Sequence, residues 1–122
     1  MQLLFVGLGG FLGAVGRWLV SRFINAIIPV DLLPWGTLGV NIIGSFLLAW
    51  VMSASYSRMQ MPPAFLLFIG TGFWGAFTTF STFSYETVTL FSHSPLRGAL
   101  NIGVMMIATL SAAAMGYYLG KS

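Results

Sequence analysis

The sequence predicts an all-α integral membrane protein with four transmembrane helices, and two observations favour this fold class. The first is composition: of the 122 residues, 57% are hydrophobic and 6% are charged. Soluble domains carry about 25% charged residues, because they must cover themselves with polar groups. The second is that the apolar residues fall into four stretches, each near the length of about 20 residues that a helix needs to cross a bilayer.

The four stretches form a single transmembrane domain over residues 1–122, with spans at 2–24, 35–56, 64–91 and 98–120. Proline and polar residues mark the links between them, such as Asp31 and Pro34 before the second span. The first stretch lacks a basic amino-terminal region and continues past Arg17. It is therefore interpreted as a retained helix and not as a signal peptide.

Composition also excludes several functional classes. The chain has no cysteine and one histidine, His93, which argues against thiolate and histidine-rich metal sites. Its five Lys and Arg residues are scattered singly, so the net charge of +3 does not indicate a nucleic-acid partner. The sequence offers no combination of base, nucleophile and metal ligands, and we expect no enzymatic activity.

The basic residues are balanced between the two sides of the membrane. With four spans, Arg58 and Lys121 lie on one side, and Arg22 and Arg97 lie on the other. Because orientation follows the excess of basic residues in cytoplasmic loops, this balance gives no preferred direction. The sequence predicts insertion in both orientations, which allows an antiparallel homodimer. The alternative is that a partner or the insertion machinery sets the orientation.

The first span combines small residues with one cation. Its glycines, at positions 7, 9, 10, 13 and 16, favour close helix packing. Arg17 lies inside the apolar boundary, where a cation at the bilayer centre costs about 2.5–3.5 kcal/mol. Two interpretations stay open for this side chain. It either extends to the interface near Arg22 or lines a water-filled vestibule that concentrates anions.

The second span places Thr37, Asn41 and Ser45 on one helical face, four residues apart. An asparagine inside a membrane must find hydrogen-bond partners. Asn41 is either a structural link between helices or a donor of two N–H groups to an anion.

The third span carries polar residues through its middle, in the segment 70–86. Three glycines followed by threonines predict that this helix is broken near its middle, and carbonyls freed there can hold a small cation. Phe77, Phe80 and Phe83 recur every third residue among hydroxyls. Since the edge of a phenyl ring is electropositive, this pattern indicates a path for an anion.

Residues 78–84 read TTFSTFS, which resembles the signature of the Fluc (CrcB) family of fluoride channels. Gly16-Arg17-Trp18, the Gly36-Thr37-Leu38 segment before Asn41, and Glu86 fit the same family pattern. The resemblance covers nearly the whole chain, in order. It implies passive, fluoride-selective export across the bacterial inner (cytoplasmic) membrane, which lowers intracellular fluoride. It also implies an antiparallel dual-topology homodimer in membrane lipid, with two pores.

The resemblance further implies roles for particular residues. Gly75 and Thr78 would hold a structural Na⁺ at the dimer centre through backbone carbonyls, and Arg17 would line the vestibule. The residues implied along the fluoride path are Asn41, Phe80, Phe83, Ser81, Thr82, Ser84 and Thr37.

Two features depart from the family pattern. Gly75 is followed by Ala76 and Phe77, where members often have a second glycine. Members also offer polar side chains from the fourth span, where this chain has Met105 and Met106 and the hydroxyls of Thr109 and Ser111.

Two other classes remain as rivals. A small multidrug transporter also has about four short helices, but it needs a carboxylate in the first span, which this chain lacks. A structural subunit of a larger complex would need no pathway at all. Fluoride efflux through the protein alone separates these alternatives.

Overall fold

A computed structural model of the protein describes residues 1–29 and 32–122, and the link residue Asp31 lies outside this part. The chain is all-helical, with four long apolar helices of a multi-pass membrane protein, as the sequence predicts. The four spans are Gln2–Ile27, Trp35–Met59, Pro63–His93 and Pro95–Lys121. The last five residues of the second span, Ser55–Met59, form a π-helical turn.

The fourth span begins at Pro95, three residues before the expected start at 98. Ser94 explains the difference, because its hydroxyl accepts a hydrogen bond from the amide of Arg97 at 3.4 Å. Proline suits the first helical position, where its missing N–H has no helical partner to lose. The same prolines that mark the end of a link therefore also start the next helix.

The first and third spans pack closely through glycine. A Cβ on Gly9 would collide with the carbonyl of Phe68, and one on Gly13 would collide with the carbonyl of Phe73. Gly72 makes the corresponding close contact from the third span, where a Cβ would lie 2.9 Å from the carbonyl oxygen of Val6. The glycine-rich segment Leu67–Trp74 is itself helical, in the wide π form. These glycines bring the two backbones together, as expected where hydrophobicity cannot drive helix association.

The second and fourth spans form the other close pair. Gly116 faces the carbonyl of Phe46 too closely for any larger residue. The hydroxyl of Ser53 donates to the carbonyl of Tyr117 at 2.6 Å. A buried hydrophobic cluster of Leu38, Phe83 and Met105 lies between these two spans and the second half of the third. Buried polar side chains, among them Asn41 and Asn101, also lie in the interior. Asn41 belongs to the site described next.

Candidate functional site

The third span is helical up to Phe77 and again from Phe80, and the two residues between these segments are extended. Thr78 has φ −84° and ψ 158°, and Thr79 has φ −148° and ψ 124°. We call this pair of residues the interruption. It lies three residues after Gly75, which has helical dihedral angles. The glycines are therefore part of the helix, and the helix is interrupted at the two threonines.

Asn41 of the second span binds the interruption through both ends of its amide. Its Oδ1 accepts from the backbone N–H of Thr79 at 2.8 Å, and its Nδ2 donates to the carbonyl of Thr79 at 3.0 Å. In a continuous helix that N–H would donate to the carbonyl of Gly75. Asn41, which is 7% exposed, thus takes the place of the backbone groups that would bind Thr79 in a continuous helix.

Thr79 also begins the second half of the third span. Its hydroxyl accepts from the amide of Thr82 at 3.3 Å, as an N-cap residue does. This role of Thr79 is not among those predicted from the sequence. A threonine before a new helical segment, three residues ahead of the amide that it caps, was the available signal.

Arg17 binds the other end of the interruption. Its Nε donates to the carbonyl of Ala76 at 3.4 Å, in the last turn of segment 63–77. A cation is favourable there, because the carbonyl end of a helix carries partial negative charge. Arg22, by contrast, lies 4.7 Å from the ring centroid of Trp18. Arg17 thus points to the third span, and its positive charge has a backbone partner.

A cavity of about 190 Å³ opens beside the interruption. It brings together three of the residues expected along an anion path, Asn41, Phe80 and Phe83, and its lining residues carry no charge. The full lining is Asn41, Ser45, Thr78, Thr79, Phe80, Phe83, Met105, Met106 and Thr109. We call it the Asn41 cavity.

The two phenyl rings of the Asn41 cavity differ in exposure. Phe83 is 5% exposed and belongs to the core, whereas Phe80 is 69% exposed. Their ring centroids are 5.4 Å apart, with the planes tilted by 56°. The backbone carbonyl of Phe83 is linked to the fourth span by a buried chain of hydrogen bonds. Asn101 donates to the hydroxyl of Thr87 at 2.9 Å, and this hydroxyl donates to the carbonyl of Phe83 at 2.7 Å.

The hydroxyls of the signature have local partners. Thr82 accepts from the hydroxyl of Thr79 at 3.1 Å, and Ser84 donates to the carbonyl of Phe80 at 3.0 Å. Ser81 is exposed, with its hydroxyl 3.4 Å from that of Thr79. None of these three, Ser81, Thr82 or Ser84, lines the Asn41 cavity.

Thr37 lies apart from the Asn41 cavity and is buried beside Glu86. Oε1 of Glu86 is buried without a hydrogen-bond partner among the described residues. Glu86 faces a second cavity of about 170 Å³, between the start of the second span and the third span. Thr37 and Asn41 therefore share a helical face, but Thr37 lines neither of the two cavities.

The fourth span contributes mainly sulfur to the Asn41 cavity. Nδ2 of Asn41 is 3.5 Å from Sδ of Met105, a weak acceptor. The hydroxyl of Thr109 donates to the carbonyl of Met105 at 2.7 Å. Ser111 is exposed and does not line the cavity.

Comparison with known proteins places the chain in a family. Residues 4–117 match the family described as CrcB-like protein, Camphor Resistance (CrcB). A protein of Thermosipho melanesiensis is 43% identical over 99% of this chain and 97% of its own length. One of Thermosipho africanus is 46% identical over the same shares, and one of Methanocaldococcus jannaschii is 48% identical over 89% and 86%.

Each of these three relatives is named "Fluoride-specific ion channel FluC". The resemblance seen in the TTFSTFS segment is thereby confirmed over nearly the full length of the chain. The expectation of a non-enzymatic protein is confirmed too, because ion channels are transporters. The chain belongs to the CrcB family of ion channels.

Proposed function

We propose that this protein is a fluoride-selective channel that passively exports fluoride across the cytoplasmic membrane. The observation that carries the proposal is the uncharged Asn41 cavity, where an amide and two phenyl rings meet at the interruption. The names of the full-length relatives support the choice of ion. A membrane potential that is negative inside drives an anion outward, so passive flow lowers intracellular fluoride.

Fluoride is small and strongly hydrated, so a pore must replace its water with good donors. In Asn41, one N–H is held by the carbonyl of Thr79, which fixes the direction of the amide. The other N–H faces the sulfur of Met105, a partner weak enough for a passing anion to displace. Asn41 thus serves both as a structural link and as a donor.

The phenyl rings and the uncharged lining of the Asn41 cavity complete the mechanism. The electropositive edges of Phe80 and Phe83 stabilise an anion weakly. They do so without placing a charged group in the cavity. The guanidinium of Arg17 donates to the carbonyl of Ala76 and does not line the Asn41 cavity. An anion bound by neutral groups alone can leave again, which conduction requires.

The proposed assembly is an antiparallel dual-topology homodimer with two pores. Its main support is the outer face of the third span, where Gly75, Phe80 and Ser81 are exposed next to the interruption. Irregular backbone inside a membrane is tolerated only where protein or water covers it. A second copy would cover this face, and the equal division of basic residues between the two sides permits its inverted insertion.

We propose a structural Na⁺ between the two copies, held by the carbonyls of Gly75 and Thr78. The residues fit this ion, because the N–H of Thr79, the helical donor to the Gly75 carbonyl, is turned to Asn41. That carbonyl keeps a long hydrogen bond of 3.4 Å from the hydroxyl of Thr78. Neutral carbonyl oxygens without a carboxylate suit Na⁺ better than Ca²⁺ or Mg²⁺. The exposure of Gly75 would let two copies share the ion.

Purified protein in liposomes is expected to release fluoride and to retain chloride, measured with ion-selective electrodes. Phe80→Ile or Phe83→Ile should reduce fluoride flux about 2- to 12-fold, which corresponds to the roughly 0.5–1.5 kcal/mol of an edge-on aromatic contact. Phe11→Ile, the same change at a ring that is 67% exposed on the first span, should leave flux unchanged. Equal flux in all three variants would remove the role of the rings.

Asn41→Asp should abolish fluoride flux and lower thermal stability. The carboxylate can still accept from the N–H of Thr79, but it loses the donor to the Thr79 carbonyl and repels the anion. A buried carbonyl left without its donor costs about 1–3 kcal/mol of stability, and the repulsion of the anion accounts for the loss of flux. Asn101→Asp is the control, because it removes a buried hydrogen bond that a side-chain amide donates outside the Asn41 cavity. It should lower stability while folded protein still conducts; normal conduction by Asn41→Asp would leave the residue a purely structural role.

Tags after Lys121 are expected to be accessible from both sides of the membrane in comparable amounts. Adding three lysines to the 57–63 loop should fix one orientation, because basic loops stay in the cytoplasm. Protein inserted in one orientation should neither dimerise nor conduct. The control adds three glutamines to the same loop. An active dimer formed by the single-orientation variant contradicts the antiparallel assembly.

Replacing Na⁺ by a large organic cation should weaken the dimer and reduce fluoride flux, because the carbonyls of Gly75 and Thr78 lose their shared ion. Dimer mass and flux are measured after prolonged exchange. Thr78→Val keeps the backbone carbonyl and should preserve the sodium dependence. If neither dimer mass nor flux responds to sodium, the cation site is withdrawn and the channel proposal stands.

A further inference from the structure

A third cavity, lined by both polar and apolar residues, lies at the far end of the paired second and fourth spans, remote in sequence from the interruption. Its volume is about 330 Å³, and it shares no lining residue with the Asn41 cavity. Its lining consists of Ala49, Met52, Ser53, Tyr56, Ser57, Tyr117 and Lys121. We call it the Lys121 cavity.

Aromatic residues place the Lys121 cavity at the level of lipid headgroups. Tyr56 is 82% exposed and Tyr118 is 66% exposed, next to the carboxyl-terminal ends of the two spans. Tyrosines of this kind are enriched where a membrane meets water. Ala49 and Met52 lie one to two helical turns before Tyr56, so this side of the lining is apolar and reaches towards the hydrocarbon region.

One cation, Lys121, lines the Lys121 cavity, and a second, Arg58, follows the lining residue Ser57 in the sequence. The amino group of Lys121 is 5.3 Å from the ring centroid of Tyr117. Arg58 is anchored beside it, because its Nε donates to the carbonyl of Gly120 at 3.0 Å. Arg58 is therefore bound to the residue that directly precedes Lys121.

Acidic side chains do not balance this charge in the described part of the chain. The sequence has two such side chains, Glu86 and Asp31. Glu86 lies beside Thr37, near the opposite end of the second span. Asp31 precedes that opposite end in the sequence and lies outside the described residues. An anion from the surroundings is the natural partner of the pair.

We propose that the Lys121 cavity binds the phosphate headgroup of an anionic phospholipid. Lys121 and Arg58 contact the phosphate, the hydroxyls of Tyr56 and Ser57 donate to the headgroup, and Met52 contacts the start of an acyl chain. The combination of a cationic rim with an apolar wall at this depth selects a lipid over a free phosphate. A zwitterionic lipid binds less well, because its own ammonium group is repelled by the two cations.

Native mass spectrometry of the full chain tests this site, with phosphatidylglycerol and phosphatidylcholine as probes. The protein is expected to retain phosphatidylglycerol in preference to phosphatidylcholine. Lys121→Gln should weaken phosphatidylglycerol binding about fivefold, the factor that matches about 1 kcal/mol per cation near a membrane surface. This variant removes a contact with one ring and keeps the Arg58 bond that caps the fourth span.

Arg97→Gln is the matched control, since it removes the same charge at the other side of the membrane and should not change lipid retention. Glycerol 1-phosphate, which has the headgroup without acyl chains, should not displace the lipid. Equal losses in Lys121→Gln and Arg97→Gln would reduce the effect to net charge. Equal retention of the two lipids, or displacement by glycerol 1-phosphate, would overturn the lipid site. The readout is binding, so it is independent of fluoride transport.

Discussion

The pairing of Asn41 with Thr79 is the interaction on which the rest of the site depends. Inside a bilayer, a backbone N–H or C=O without a partner costs several kcal/mol, and no water is available to supply one. One side-chain amide satisfies both groups of Thr79, at 2.8 Å and 3.0 Å. Without it, the N–H of Thr79 would return to the carbonyl of Gly75, and the third span would close into a continuous helix. The interruption therefore rests on a residue 38 positions away.

The interruption creates two helix ends of opposite polarity in the middle of a span. Segment 63–77 ends in carbonyls, and Arg17 supplies a cation to one of them, at Ala76. Segment Phe80–His93 begins with N–H groups, and the hydroxyl of Thr79 caps one of them. Since partial charges at helix ends favour these same partners, the two caps stabilise the interruption from both sides. Arg17 thus has a structural role at the interruption, independent of any role in attracting anions.

The four spans could be predicted from sequence because span length and apolar composition act locally. The sequence also indicates a break near the middle of the third span, but not which two residues are extended. The glycines that suggested it are helical, and Gly72 serves contact with the first span instead. Thr78 and Thr79 are extended because of Asn41, whose proximity is a property of the tertiary structure. The Asn101–Thr87 bond could not be predicted for the same reason, since neither residue stands in a recognisable local pattern.

The difference in exposure between Phe83 and Phe80 bears on how a pathway could be enclosed. Phe83 packs in the core against Leu38 and Met105, whereas Phe80 is exposed on the same helical segment. A path that uses both rings runs along the boundary of the chain, so one copy supplies only part of its wall. In the proposed dimer the second copy supplies the remainder and also covers the interrupted backbone. Selectivity and assembly would then rest on the same exposed face of the third span.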